Sequence, residues 1–105
     1  MAIQRANQHA TEIPLKVMKT ACRSYDLLAE MAEKGNPASI SDVGVGLLAT
    51  RACVEGAAMN VRINLSGLKD EKVKASLHEK LDVLLAESEA RYQGARQLVE
   101  SKLSL

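Results

Sequence analysis

Aromatic side chains are almost missing from this sequence, which has no Trp, no Phe and only two Tyr among 105 residues. Proteins that bind single-stranded nucleic acid stack bases on aromatic rings, and cages for quaternary ammonium groups are built from the same rings. Net charge is also small, because 14 Lys and Arg oppose 13 Asp and Glu. A field that would attract nucleic acid or an anionic membrane is therefore absent, and we expect neither as a partner.

Cysteines and long apolar runs are also scarce. Cys22 and Cys53 are too few for a disulfide framework and lie in apolar, helix-like segments, so we predict packed thiols in a reduced, cytoplasmic setting. The most apolar stretch, residues 43–65, is interrupted by three charged side chains and does not resemble a membrane span. The first fifteen residues lack the hydrophobic region of a signal peptide. His9 and His78 have no second ligand at a suitable spacing, so we predict surface histidines and no metal site.

Turn-forming residues at 35–37 and 66–68 divide the chain into three segments. The first segment carries nine charged side chains, the second only four, and the third fourteen. Apolar residues recur at helical spacing, and no repeat or low-complexity stretch is present. The pattern predicts an all-α antiparallel bundle of three helices, a single domain over residues 1–105. The sparsely charged middle helix is expected to be surrounded by protein.

The beginning of the first helix is open to two interpretations because of Pro14, which lacks an N–H and clashes with the carbonyl of Ala10. Either a helix begins at Thr11 as its N-cap, or a longer helix begins near Ile3 and kinks near Ala10. We favour the longer, kinked helix. Its end is predicted at Lys34, with Gly35 as the C-cap and Pro37 beyond it.

The second helix is predicted from Ser39 to about Leu65, opening on a capping box in which Asp42 follows Ser39 by three positions. Small residues recur along it, and the ridge formed by Ala49, Cys53 and Ala57 favours close approach of a neighbouring helix. Glycines inside a helix cost about 1 kcal/mol each relative to alanine, so close packing should offset that cost.

The third helix is predicted over residues 70–103, about 50 Å at 1.5 Å per residue. Its apolar stripe consists of Leu77, Leu81, Leu84, Ser88, Tyr92, Ala95 and Val99. Such a long, narrow stripe exceeds what two partner helices require. We therefore expect this helix to pack on something outside the 105 residues.

Four polar residues of the second helix are candidates for a site. Asn60 and Asn64 lie one turn apart and either line a polar cleft or make interhelical hydrogen bonds. Asp42, at the helix N-terminus, either faces a cationic substrate group or acts only as the capping partner of Ser39. Arg62 either binds a carboxylate or is solvated or paired with Glu55.

Several motifs together, in order and at suitable spacing, resemble the cyclodeaminase and cyclohydrolase family of folate enzymes. They are Ile13-Pro14-Leu15, Gly35-Asn36-Pro37, Ser41-Asp42-Val43-Gly44-Val45 and Asn60-Val61-Arg62-Ile63-Asn64-Leu65. The resemblance covers nearly the whole chain. It implies a helical fold that dimerises and a tetrahydrofolate derivative as substrate, with no tightly bound cofactor.

In the cyclodeaminase reaction that the resemblance implies, N10 of 5-formiminotetrahydrofolate attacks the formimino carbon, ammonia leaves and 5,10-methenyltetrahydrofolate forms. Asp42 is the implied catalytic carboxylate. The implied substrate-binding residues are Asn36, Ser41, Asn60, Arg62 and Asn64. Arg51, Arg62 and Lys69 are equal candidates for binding the folate tail.

The chain departs from the family pattern because it corresponds to the C-terminal half of the family domain, without the preceding glycine-rich segment. The resemblance therefore implies completion by a second copy, as a homodimer or higher homo-oligomer, or by an N-terminal half on another chain. Two alternatives to the cyclodeaminase stay open. One is a methenyltetrahydrofolate cyclohydrolase, and the other is a non-catalytic helical assembly module or inactive fragment.

Overall fold

Three long helices make up the computed structural model, which describes residues 2–103. Helix α1 spans Ala2–Lys34, α2 spans Ile40–Leu65 and α3 spans Glu71–Leu103, and a short 3₁₀ turn at Pro37–Ser39 precedes α2. Each long helix packs against both others. The described residues contain no strand, so the predicted all-α bundle of three helices is confirmed.

Contacts at the helix ends define the direction of each helix. The side chain of Gln4, near the start of α1, donates to the carbonyl of Gly67 beyond the end of α2, at 3.2 Å. At the other end of the bundle, Lys102 Nζ donates to the carbonyl of Glu33 at 2.9 Å. Helices α1 and α3 are therefore parallel, and α2 runs antiparallel to both. The bundle is a rod of 58 × 17 × 17 Å.

Helix α1 continues through Pro14, as the longer of the two interpretations predicted. Thr11 is not an N-cap: it is fully buried inside the helix, and its hydroxyl donates to the carbonyl of Asn7 at 2.8 Å. Beyond the end of α1, Gly35 donates its N–H to the carbonyl of Met31 at 2.7 Å. A Cβ on Gly35 would lie 2.4 Å from that oxygen, so close backbone approach, and not a positive φ, requires glycine here.

The predicted capping box at the start of α2 is wrong. The Ser39 side chain makes no capping hydrogen bond. Asn36 instead caps the 3₁₀ turn that precedes α2, and its Oδ1 accepts from the N–H of Ala38 at 3.0 Å. The chain enters α2 through the 3₁₀ turn, so the cap lies before that turn and Asp42 is left exposed on the helix surface.

Helix α3 begins one residue later than predicted, because Asp70 is its capping residue. Its Oδ1 accepts from the N–H groups of Lys72 and Val73 at 3.0 and 3.2 Å. The predicted stripe is confirmed: six of its seven members are buried, and Leu84 is partly buried against the core. This stripe is covered by α1 and α2 of the same chain, so it gives no reason to expect an outside partner for α3.

Helix α2 is the element left incompletely covered. Val43, Leu47 and Val61 are buried in the core, whereas Val45 and Ile63 are 66% and 69% exposed. The expectation that α2 is surrounded by protein therefore holds for only one of its faces within this chain. On the covered side, a Cβ at Gly46 would lie 3.1 Å from the Leu28 side chain. Gly56 is exposed, and a Cβ there would meet nothing within 4 Å.

Candidate functional site

The six candidate residues fall into two groups at opposite ends of α2. Asn36, Ser41 and Asp42 lie at its beginning, and Asn60, Arg62 and Asn64 lie near its end. Asp42 and Asn60 are separated by about 27 Å at a rise of ~1.5 Å per residue. A single chain therefore does not bring the predicted carboxylate and the predicted asparagines to one reacting group.

The first group surrounds the start of α2 without forming one cleft. Asp42 is exposed in the first turn of α2, so its carboxylate lies at the positive end of the helix dipole. Ser41 lines a small cleft of about 250 Å³ between α2 and α3, together with Tyr92 and Arg96. Asn36 lines a different cleft, between α1 and α2, and its Oδ1 is engaged in capping.

In the second group, Asn60 and Asn64 line a cleft of about 460 Å³ between α1 and α2, together with Gly56, whereas Arg62 does not line it. Asn64 Nδ2 donates to the carbonyl of Ala10 at 3.0 Å. That carbonyl is the one that Pro14 leaves without its usual helical donor, because proline has no N–H. The interhelical hydrogen bond considered for Asn64 is therefore present, and it compensates for the proline inside α1.

We expect Asn64→Ala to lower the free energy of unfolding by about 1 kcal/mol, because the Ala10 carbonyl loses its donor. In a Pro14→Ala background the restored N–H can bond to that carbonyl, so the cost of Asn64→Ala should shrink. Urea unfolding of the two single variants and the double variant measures this coupling. If the two substitutions lower the free energy of unfolding additively, the hydrogen bond assigned between Asn64 and the Ala10 carbonyl is contradicted.

Arg62 is exposed and forms no ion pair within residues 2–103, so of its alternatives the pairing with Glu55 is not observed. Glu55 is paired instead with Arg51, at 3.4 Å, and Arg51 also reaches Glu89 of α3 at 3.2 Å. Arg51 further lies over the ring of Tyr92, 4.4 Å from its centroid. Of the three cations proposed for a folate tail, Arg51 is thus already engaged.

Sequence reasoning missed the polar cluster around Tyr92. Arg96 donates from Nη1 to the Tyr92 hydroxyl at 2.8 Å and from Nε to Glu100 at 2.9 Å. These three residues follow one another at intervals of four along α3, a spacing that places side chains on one face of a helix. That spacing is the signal that could have predicted the cluster.

The two cysteines differ in their surroundings. Cys22 is buried with its Sγ 3.9 Å from the carbonyl of Leu84, and burial raises the pKa of its thiol. Cys53 is exposed in the groove between α1 and α2, so the prediction that it is packed is wrong. Cys53 lies beside Ala49, Ala52 and Gly56 on the side of α2 that the other two helices leave exposed.

The histidines lie on the surface, as predicted. His9 is exposed, and His78 Nδ1 lies 3.2 Å from Asp82. Within residues 2–103 no group of three or more His, Cys, Asp or Glu side chains is arranged to hold a metal ion. The helices described here include none that is long and apolar enough to cross a membrane.

Comparison with known proteins relates the chain to folate enzymes. A family model described as formiminotransferase-cyclodeaminase matches residues 1–83, which include all six candidate residues. A methenyltetrahydrofolate cyclohydrolase of Methylorubrum extorquens is 37% identical over 102 residues, which make up 97% of this chain and 49% of that protein.

The chain is also similar to formimidoyltransferase-cyclodeaminases, of which it covers a smaller part. The Mus musculus protein is 33% identical over 90 residues, 86% of this chain and 17% of that protein. The Dictyostelium discoideum protein is 31% identical over 102 residues, 97% of this chain and 19% of that protein. The chain thus spans about half the length of the cyclohydrolase relative and less than a fifth of the other two. On this evidence the chain belongs to the formiminotransferase-cyclodeaminase family.

Proposed function

We propose that this chain acts in folate one-carbon metabolism, as all or part of an enzyme that closes 5-formiminotetrahydrofolate to 5,10-methenyltetrahydrofolate with release of ammonia. The observation that carries the proposal is the match to the family over residues 1–83, because Asp42 and both asparagines lie within it. The relatives named formimidoyltransferase-cyclodeaminase support the choice of reaction.

The proposed reaction begins from the protonated formimino group, an amidinium cation. N10 attacks the formimino carbon and a new C–N bond forms. The proton of N10 then moves to the exocyclic nitrogen, which leaves as ammonia, and the cationic methenyl product remains. An enzyme accelerates this step by holding N10 against the carbon and by managing that proton.

Asp42 is suited to the charged group, since it is an exposed carboxylate in the first turn of α2. A carboxylate beside the amidinium stabilises its charge and accepts or delivers the transferred proton. The exposed amide of Asn60 lies about 27 Å away along α2, so it would hydrogen-bond this pterin only from another chain. Arg62, exposed and without an ion pair among the described residues, is available for a carboxylate of the folate.

A second candidate is a methenyltetrahydrofolate cyclohydrolase, in which water adds to the same methenyl carbon. The 37% identity to the protein of that name, over 97% of this chain, favours it. The two reactions are separated by offering each substrate in turn. Ammonia release from 5-formiminotetrahydrofolate indicates the cyclodeaminase, and hydrolysis of the methenyl compound indicates the cyclohydrolase.

The test begins with calorimetric titration of the chain with 5-formyltetrahydrofolate, a stable mimic of the formimino substrate. We expect saturable binding, and in turnover assays we expect Asp42→Asn to lower kcat by about 10²–10⁴-fold. Asp82→Asn is the control, because Asp82 is an exposed carboxylate on α3 paired with His78. Its turnover should match that of the unsubstituted chain.

Near-normal turnover of Asp42→Asn, with helical content intact, would remove Asp42 from the mechanism. A folded chain that binds no reduced folate, either alone or with a candidate N-terminal half supplied in trans, would contradict the proposal. The non-catalytic assembly module would then be the remaining interpretation.

A further inference from the structure

The cleft between the start of α2 and the end of α3 combines apolar walls with one polar end. Its volume is about 250 Å³, and its walls include Val45 and Leu48 of α2 and Leu103 of α3. These three side chains are 48–66% exposed. Gly44 and Val99 also line the cleft, and a Cβ on Gly44 would lie 3.3 Å from the Val99 side chain, so a larger residue at position 44 would narrow it. Apolar walls with a few polar groups are typical of small-molecule sites.

The polar end of the cleft consists of Tyr92, Arg96 and Glu100. Arg96 donates from Nη1 to the Tyr92 hydroxyl at 2.8 Å and from Nε to Glu100 Oε1 at 2.9 Å. Because Tyr92 is buried in the core, these two contacts hold the guanidinium in place at the edge of the cleft. A guanidinium has several N–H donors and a carboxylate has several acceptor positions, so a ligand can bond to this pair in addition to the contacts already made.

The ionic groups around Tyr92 carry a net negative charge. Arg51, which lies over the Tyr92 ring, is 3.4 Å from Glu55 and 3.2 Å from Glu89. Together with Arg96 and Glu100, two cations therefore face three carboxylates. The carboxylates of a folate tail would be repelled by this balance. A neutral ring edge that offers N–H donors beside an acceptor is favoured instead.

We propose that this cleft binds the pterin ring of the substrate, and that Glu100 and Arg96 recognise its 2-amino-4-oxopyrimidine edge. This step rests on the proposed function. The edge carries two neighbouring donors, N3–H and the 2-amino group, next to one acceptor, the 4-oxo oxygen. The Glu100 carboxylate would accept from the two donors, while the Arg96 guanidinium would donate to the oxygen. The apolar walls would contact the two faces of the ring.

The position of Asp42 agrees with a pterin held in this way. Its neighbour Ser41 lines the cleft, and Val45, three residues further along α2, forms part of the wall. Side chains three residues apart are neighbours on a helix, so Asp42 lies at the rim of the cleft. A pterin anchored by its pyrimidine edge presents its other ring, with N5 and the formimino group, at the mouth. Asp42 would therefore lie beside the group that reacts.

Tetrahydropterin, the head of the substrate without its aminobenzoylglutamate part, tests the subsite by NMR titration. We expect saturable binding that shifts the backbone amide signals of residues 44–48 and 96–103 but not those of residues 72–80, which lie at the other end of α3. Glu100→Ala should weaken binding about 10–100-fold, because hydrogen bonds to a charged acceptor are lost. Glu30→Ala is the matched control, since Glu30 is an exposed carboxylate paired with Lys34 at the same spacing of four residues. Its affinity should equal that of the unsubstituted chain.

An analogue of 5-formyltetrahydrofolate with a methyl group in place of the 2-amino group separates direct contact from a structural role of Glu100. The unsubstituted chain should bind this analogue about 10–100-fold more weakly than the parent compound. The Glu100→Ala chain should bind the two compounds with affinities within about twofold of each other, because the contact is already absent. A Glu100 that only supports the fold would weaken both compounds by the same factor, which would overturn the assignment.

The remaining outcomes distinguish this subsite from the proposed function. If 5-formyltetrahydrofolate binds and both Glu100→Ala and Arg96→Ala leave its affinity unchanged, the subsite is overturned while the proposed function stands. If tetrahydropterin binds in the cleft but no ammonia is released from 5-formiminotetrahydrofolate, the subsite stands and the proposed reaction fails. If no reduced pterin binds, either to the chain alone or with a candidate N-terminal half supplied in trans, both are overturned.

Discussion

Tyr92→Ala is expected to lower the free energy of unfolding by about 3–5 kcal/mol, as large truncations of buried aromatic residues do. The Tyr92 side chain is 1% exposed, and its ring meets that of Tyr25 edge to face at a centroid distance of 5.8 Å. Two arginines also contact Tyr92, because Arg51 lies over the ring and Arg96 donates to the hydroxyl. Domains of this size are stable by roughly 5–15 kcal/mol in total, so the loss is a large share.

The measurement is urea unfolding followed by circular dichroism, at a fixed chain concentration because an associating chain gains apparent stability. Two phenylalanine variants separate the ring from the hydroxyl. Tyr92→Phe should lower the free energy of unfolding less than Tyr92→Ala does, because only the hydrogen bond from Arg96 is lost. Tyr25→Phe should be neutral or stabilising, since the buried Tyr25 hydroxyl has no hydrogen-bond partner within the described residues. Equal decreases in the free energy of unfolding for Tyr92→Phe and Tyr25→Phe would contradict these assignments of the two hydroxyl groups.

Leu81→Ala should lower the free energy of unfolding by about 2–5 kcal/mol, because it removes a fully buried side chain and leaves a cavity. Leu81 is 1% exposed near the middle of the α3 stripe. Val83, two residues away on the same helix, is 50% exposed, so Val83→Ala should change stability by less than about 0.5 kcal/mol. Similar midpoints for the two variants in the same urea experiment would show that the stripe is not the core.

The number, order and ends of the helices could be predicted because each depends on residues close together in sequence. Lys34, Leu65 and Leu103 end their helices where the pattern placed them. The capping prediction failed because Asn36 and Ser39 are both good caps, and the choice between them depends on the intervening 3₁₀ turn. Periodicity identifies which face of a helix is apolar, but it does not say which helix covers that face.

That ambiguity explains why α3 was expected to be the under-packed helix, whereas the uncovered stripes lie on α1 and α2. The candidate site was harder to predict, because its residues were placed by family motifs, whereas the distance between them depends on α2 being one continuous helix. The link between Asn64 and Pro14 joins residues 50 positions apart, so only the packed structure shows that one residue compensates for the other.

The opposite placement of the two ends of the chain has a geometric consequence for anything attached to them. Residue 2 begins α1 at one pole of a rod 58 Å long, and residue 103 ends α3 at the other pole. Polypeptide fused to the two ends of one chain would therefore leave in opposite directions. Segments attached to the two ends of the same chain would be kept apart by the length of the rod.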